Sequence, residues 1–322
     1  MQIDLKTPIT DVQQYLSAKG WIDKTEHILA TEKPGEGNMN VVLRIKTNLR
    51  TFILKQSRPY VQKYKEVEAP LERINVEYQF YRHGYTGTLK QYFPEALAYD
   101  GHDHLLMLED LGTCEDMTYI YNSKVVPKER IESLVQIVKA IHNTTIAADF
   151  PKNLKLRQLN HQHIFELPFM MDNGFSLNKV QEGLQELSEP YKRNKDLKSI
   201  IKRLGEKYLS PGEVLVHGDY YPGSWMTCAD RIHIIDPEFC FLGFAEFDVG
   251  VMAAHIIMAT MEMTYLDTIA NQYGDGLDST LVEQIAGVEI MRRIIGLAQL
   301  PLDSTLEEKE SLLNIAHKMI ML

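Results

Sequence analysis

The sequence predicts an α+β protein of two lobes, a small antiparallel-sheet lobe followed by a larger and mainly helical one. Apolar and polar residues are interspersed through residues 27–33, 40–46 and 51–56, the texture of half-buried strands, and residues 104–109 are apolar enough for another. After Leu111-Gly112 the pattern becomes mainly helical. A length of 322 residues suits one two-lobed unit or two modest domains. The expected division is residues 1–110 and residues 111–322, with a hinge near 107–112.

The first expected element is a short helix over 10–19, capped by Thr10 with Gln13 three residues on and ended by Gly20. Strands follow at 27–33, 40–46 and 51–56, the last two joined through Thr47-Asn48-Leu49 as a hairpin. Leu71, Ile74, Tyr78 and Tyr81 stand at helical spacing and predict a helix over 67–83. Residues 89–100 and 104–109 read as two more strands. Ile131, Leu134, Val135, Val138 and Ile141 form the stripe of an amphipathic helix over 128–144. Residues 176–206 are charged and helical in character, and helical texture returns from Asp248 to the end. Between them, residues 213–244 read as strand, loop, strand and a glycine turn.

Composition narrows the function. Hydrophobic residues make up 44% and charged ones 24%, enough to bury a core without staples. A net charge of -10 argues against nucleic acid as the main partner, because phosphate backbones call for clustered cations. Cys114, Cys228 and Cys240 are far apart and odd in number, so reduced, packed thiols are expected. No apolar run is long enough for a membrane span, and the N-terminus lacks a signal-peptide pattern, so the cytoplasm is expected, with no membrane partner.

The most informative stretch runs from Val214 to Phe239. An apolar strand delivers His217-Gly218-Asp219 into a loop, and a second apolar run, 232–235, delivers Asp236 and Glu238. Phosphoryl transfer needs a carboxylate that orients the attacking hydroxyl and accepts its proton, and oxygen ligands that hold magnesium against the phosphates. Carboxylates at i and i+2 of an extended segment point the same way, so Asp236 and Glu238 suit a shared metal. Taken singly, Asp219 reads equally as a turn residue and the other two as a solvated strand end.

Gly35-Glu36-Gly37-Asn38-Met39-Asn40 lies between two expected strands, where glycines let backbone N–H groups approach phosphates. Lys55 stands mid-strand in Phe52-Ile53-Leu54-Lys55-Gln56, either on a wet face or aimed at a phosphate. Its spacing from the glycine loop favours the phosphate. Glu77 on the next helix is the chosen partner for Lys55, with Glu72 as competitor. Residues 105–112 read as the hinge strand and turn. Near the end, Arg292-Arg293 offer guanidinium groups suited to a transferring phosphoryl group, although Glu289 and Arg293 are spaced as an ordinary surface pair. Adjacent residues on one helix do not readily aim at one point, so one of the arginines is open to a structural role. His142, His161, His163 and His255 are read as loop or core histidines, because no third metal ligand is suggested by spacing. Trp225 and Phe239 are read as packing behind the loop.

Together these motifs resemble the aminoglycoside phosphotransferase and choline kinase-like superfamily, whose H-G-D-x-x-x-x-N loop precedes an aspartate metal motif. Within it they look most like the methylthioribose kinases, in Asp236-Pro237-Glu238-Phe239, Phe247-Asp248-Val249-Gly250, Lys55-Gln56 followed by Pro59-Tyr60-Val61, and Arg292-Arg293-Ile294. The resemblance implies a protein-kinase-like fold and an ATP- and Mg2+-dependent small-molecule kinase. It makes Asp219 the base, Asp236 the main magnesium ligand and Glu238 its support. Ser224 stands where the superfamily carries a second ligand, asparagine. Gly35, Gly37, Asn38, Asn40 and Lys55 would hold the nucleotide, and backbone groups near Met107, Glu109 and Leu111 the adenine. Arg292 and Arg293 would lie by the acceptor and the transferring phosphate, and a homodimer is implied. Two departures bear on the acceptor: the family's histidine after H-G-D is displaced by Tyr221 and its threonine by Pro222. An aminoglycoside, choline or homoserine-type acceptor stays open, as does a nucleotide-binding regulatory pseudokinase. A cationic acceptor would want acidic groups, and Glu307, Glu308 and Glu310 read as well as a solvated helix face. No segment resembling the protein-kinase A-P-E follows the metal motif.

Overall fold

In the computed structural model, residues 1–35, 39–84, 87–146 and 149–322 are described. The chain forms two compact units: residues 1–114 with 228–239, and residues 115–227 with 240–322. The fold is α+β and protein-kinase-like, with a sheet-rich first unit and a helical second one.

The first unit opens with helix α1 (Ile9–Ala18) and strands β1 (Ile28–Glu32), β2 (Val41–Thr47) and β3 (Thr51–Gln56). Helix α2 (Arg73–Gly84) and strands β4 (Ala96–Asp100) and β5 (Leu105–Glu109) complete it. The five strands form one antiparallel sheet in the order β1-β2-β3-β5-β4. Its core gathers Val12 and Leu16 of α1 against Leu43, Ile45, Phe52, Leu54 and Met107. The period of two along β3 sends Phe52 and Leu54 into that core and Lys55 to the opposite face.

Three details differ from expectation. Helix α1 starts at Ile9, behind Pro8, so Thr10 lies inside it and caps nothing. Gln13 instead ties α1 to β1, accepting from the Ile28 N–H at 2.7 Å and donating to the Glu26 carbonyl. Helix α2 begins only at Arg73, because Tyr60–Val61 and Tyr64–Glu68 pair as a small hairpin and Pro70 follows. The predicted strand 89–100 is a strand only from Ala96; a 3-10 turn occupies Gly87–Tyr92 and Pro94 interrupts.

The cysteine expectation is corrected. Cys114 and Cys228 form a disulfide with Cα atoms 4.4 Å apart, while Cys240 is free and buried. The pair lies where the chain leaves the first unit and where it returns, a proximity with no trace in local spacing.

The second unit contains α3 (Lys128–His142), α4 (Leu154–His161), α5 (Leu184–Arg193) and α6 (Lys195–Leu209). The run expected over 176–206 divides at Asn194, whose side chain caps α6 by accepting from the Leu197 N–H. Strand β6 (Val214–Val216) pairs antiparallel with β7 (Phe241–Gly243). Then come α7 (Ala245–Thr260), α8 (Thr264–Tyr273), α9 (Ser279–Ile295) and α10 (Leu306–Ile320). Helices α7 and α9 are buried over most of their length, including the charged residues they carry. They pack closely at Gly250, where a Cβ would lie 2.7 Å from Ile285 Cγ2. Among the described residues, no helix is long and apolar enough to cross a membrane.

Candidate active site

The first unit gathers four ionisable side chains, Glu77, Asp236, Glu238 and Arg73, around Lys55. Lys55 is buried, and its Nζ donates to Glu77 Oε1 at 2.8 Å and to Asp236 Oδ1 at 2.6 Å. Glu77, not Glu72, is therefore its helical partner. Burial opposes the lysine's charge, but Asp236, Glu77 and Glu238 outweigh it and raise its pKa. Burial pushes Glu77 up to about 8, with Asp236 and Glu238 adding to the effect and Lys55 opposing it. Asp236 sits at φ +59°, an unusual conformation for a non-glycine residue. Its N–H donates to the Tyr81 hydroxyl at 3.2 Å, and half of its side chain is exposed.

Glu238, in a 3-10 turn, is held differently. Its Oε2 accepts from Asn40 Nδ2 at 3.0 Å and pairs with Arg73 Nε at 3.2 Å. Arg73, wholly buried, also donates to Asn40 Oδ1 and to the Met39, Arg58 and Pro70 carbonyls. Asn40 thus ends the glycine loop as a fixed part of this cluster. Gly35 lies exposed in a bend; Gly37 and Asn38 fall outside the described residues. In the expected hinge, Met107 is buried on β5, and Glu109 at its end is exposed, its Oε2 accepting from the Glu95 N–H. Leu111 is half-buried, beside an Asp110 held by Arg44 and the Gly112 N–H.

The second unit builds the loop that carries Asp219. Strand β6 ends at Val216, and Gly218 turns the chain at φ +82°. The Asp248 carboxylate, fully buried in the first turn of α7, fixes that turn. Its oxygens accept from the His217 N–H at 2.6 Å and the Gly218 N–H at 2.9 Å, and His142 Nε2 lies 3.2 Å away. Downstream, the Tyr220 hydroxyl donates to the Leu134 carbonyl, and its ring packs on the buried Trp225. Ser224 Oγ donates to the Asp219 carbonyl at 3.0 Å, closing the loop on itself.

Asp219 keeps 22% of its side chain exposed. Burial raises its pKa against the pull of Arg293 and Arg292, with Glu289 adding to the rise. Arg293 Nη2 reaches Asp219 Oδ1 at 3.4 Å, and its guanidinium lies 5.0 Å from the centre of the Tyr221 ring. Both arginines converge on one carboxylate. Arg293 Nε donates to Glu289 Oε1 at 2.6 Å and Arg292 Nη1 to Glu289 Oε2 at 2.8 Å. The i, i+4 pair visible in the sequence exists, but it is buried. His255 Nε2 lies 3.0 Å from Glu289 Oε1, and Nδ1 lies 2.6 Å from the Tyr121 hydroxyl. That pattern assigns the proton to Nε2, with Nδ1 accepting from the tyrosine. Burial holds the imidazole neutral, its pKa lowered to about 4. His161 pairs with Glu166 across a π-helical turn at residues 162–166.

The sequence matches the phosphotransferase enzyme family over residues 31–281. The chain belongs to that family. This phosphotransferase is 26% identical to the methylthioribose kinase of Exiguobacterium sibiricum, over 84% of its own length and 80% of the relative's. The corresponding enzyme of a Geobacillus species is 25% identical over 88% and 82%. In fold it is similar to the choline kinase of Streptococcus pneumoniae, with a TM-score of 0.55 at 11% identity over 97% and 98% of the two chains. It is similar also to a spectinomycin phosphotransferase, with a TM-score of 0.54 at 14% identity over 98% and 100%. The phosphotransferase is a small-molecule kinase.

Whether its residues fit a divalent cation is a question of donor chemistry. Among the described residues, no group of three or more His, Cys, Asp or Glu side chains is set to enclose a metal. Magnesium does not require one, since it is commonly held by one or two carboxylates with substrate phosphates and water. Asp236 and Glu238 each present carboxylate oxygens, Asp236 beside Lys55 and Glu238 beside Arg73 and Asn40. Asp236 is open to solvent, so the set fits.

Four residues of these clusters were not read as site residues from sequence. Arg73 drew no reading, Glu289 read as half of an ordinary surface pair with Arg293, and His255 as a loop or core histidine. Asp248 was visible only as part of the F-D-V-G resemblance. Its signal was an acidic residue, two after Glu246, in the first turn of a mainly apolar helix, 29 positions after Asp219.

Proposed function

We propose that this kinase transfers the γ-phosphate of ATP to a hydroxyl of a small, polar, uncharged acceptor, with a methylthioribose-like sugar favoured. The observation that carries this reading is the cluster around Asp219: a partly exposed carboxylate with a buried guanidinium against it. Such a pair accepts a proton from a hydroxyl and stabilises negative charge on a transferring phosphoryl group. Glu289 and Asp219 already face the two arginines, which leaves neither carboxylate free to answer a cationic acceptor such as choline or an aminoglycoside. The relatives named methylthioribose kinase support the choice of sugar.

In this reading the first unit handles the donor. Lys55, kept charged by Asp236, Glu77 and Glu238, grips the phosphates, with Asn40 beside the same cluster. Asp236 and Glu238 would hold magnesium, whose chemistry is to neutralise phosphate charge. The Met107–Leu111 backbone serves the adenine. The second unit handles the acceptor. The hydroxyl proton moves to Asp219 as its oxygen attacks phosphorus, and the bond to the leaving diphosphate breaks. Arg293, fixed at both ends, steadies the charge spread over the phosphoryl oxygens. Ser224 holds the loop shut through the Asp219 carbonyl. The cytoplasm, where ATP is plentiful, is the proposed location, and a homodimer the proposed assembly.

The test is a magnesium- and ATP-dependent assay across methylthioribose, ribose, choline, homoserine and an aminoglycoside. Preferred turnover of methylthioribose supports the reading. Preference for choline or the aminoglycoside removes the argument from the arginine pair. Tight ATP binding with no turnover of any acceptor favours a regulatory pseudokinase.

A further inference from the structure

We infer that Glu289 is a positioning residue of the acceptor side, the carboxylate that seats both arginines and keeps Arg293 from closing onto Asp219. This rests on the reading of Asp219 as the base. The argument starts from helix geometry: positions i, i+3 and i+4 of α9 share one face, so Glu289 meets Arg292 and Arg293 together. On a solvated surface such pairs are weak. Here Glu289 is 1% exposed, and both of its oxygens are engaged by charged donors. A carboxylate buried to that degree is costly unless it is fully paired.

The partner on the other side is neutral. His255 donates from Nε2 to Glu289 and is itself fixed by Tyr121, so it orients the carboxylate without adding charge. The cluster therefore holds two guanidiniums and two carboxylates, Glu289 and Asp219, and its charge balances. The distances show how they divide. Glu289 takes Arg293 Nε at 2.6 Å, while Asp219 receives only a long 3.4 Å contact from Nη2. Without Glu289, Arg293 would be drawn to the one carboxylate left. A bidentate guanidinium–carboxylate pair would then occupy the oxygens that must accept the acceptor's proton. Glu289 thus keeps the arginine near the base but not on it. The remaining contact, the Tyr221 ring under the guanidinium, limits the arginine's sideways movement.

The experiment measures turnover with ATP, magnesium and the panel acceptor that reacts fastest, alongside nucleotide binding. Glu289→Gln is expected to lower kcat on the order of a hundredfold, as when a reacting group is misplaced by about an ångström. The KM for ATP should stay the same, and Glu289→Asp should recover part of the loss. A second readout is chemical rescue. Guanidinium added to Arg293→Ala should restore turnover where Glu289 is present to seat it, and fail in Arg293→Ala/Glu289→Gln. A merely structural role would leave the two backgrounds equally rescued. If Glu289→Gln does not fold, Glu289→Asp carries the same comparison. Wild-type kcat in Glu289→Gln, or equal rescue in both backgrounds, overturns the inference. Turnover by Asp219→Asn, or none with any acceptor, overturns instead the reading beneath it.

Discussion

The neutral His255 makes acid stability a measurable property of the second unit. An exposed histidine titrates near 6.5, and in the folded protein burial lowers His255 to about 4, with the nearby arginines acting in the same direction. Between those values the unfolded chain binds a proton that the folded one refuses. Stability attributable to this residue is therefore complete above about pH 6.5 and falls as the pH drops toward 4. From about pH 8 to about pH 5 the loss is about 2 kcal/mol. The groups facing His255 do not blur that window. Glu289 is held well below the ordinary carboxylate range, Tyr121 well above the ordinary phenol, and Arg293 above the ordinary guanidinium. Urea unfolding across the pH series, in wild type and in His255→Gln, isolates the term as the difference between the two slopes. NMR titration of the imidazole in the wild-type protein reads the same pKa without a variant. Equal slopes, or an imidazole midpoint near 6.5, would refute the burial argument.

Other outcomes follow from the same geometry. Lys55→Met should lower stability by about 3 kcal/mol by leaving Glu77 buried without its cation, and Glu77→Gln added to it should recover part of that loss in urea unfolding. Opening the Cys114–Cys228 bond with a thiol reductant should cost about 2–4 kcal/mol, and Cys114→Ser should be insensitive to reductant. Asp248→Asn offers one acceptor oxygen in place of two to the His217 and Gly218 N–H groups. It should lose about 1.5–3 kcal/mol of stability, and turnover should fall as the Asp219 loop loosens.

Much of the site was legible because its chemistry is written in short stretches of chain. The run 214–219 shows an apolar strand breaking at Gly218, and the break is where Asp219 emerges. Lys55 was legible as a charge in an apolar strand, and Glu77 as a carboxylate on the next helix. What stayed hidden depends on tertiary burial. Glu289 and Arg293 have the spacing of a solvated pair, and only the packing of α9 against α7 and α10 removes the solvent. Arg73 shows no local sign that it will bury its guanidinium against Glu238, because the two are 165 positions apart. The Cys114–Cys228 bond escaped for the same reason. The errors in α1 and α2 were local. Pro8 and Pro70 set where those helices can begin, and the capping and periodicity signals beside them were given too much weight.

The central claim is that Asp219 is the base of a small-molecule kinase. Its most direct test compares wild type with Asp219→Asn for turnover of ATP and methylthioribose, with ATP binding followed in parallel. The account predicts a loss of turnover on the order of a hundred- to ten-thousandfold with ATP affinity unchanged. Turnover at the wild-type rate in Asp219→Asn would contradict it.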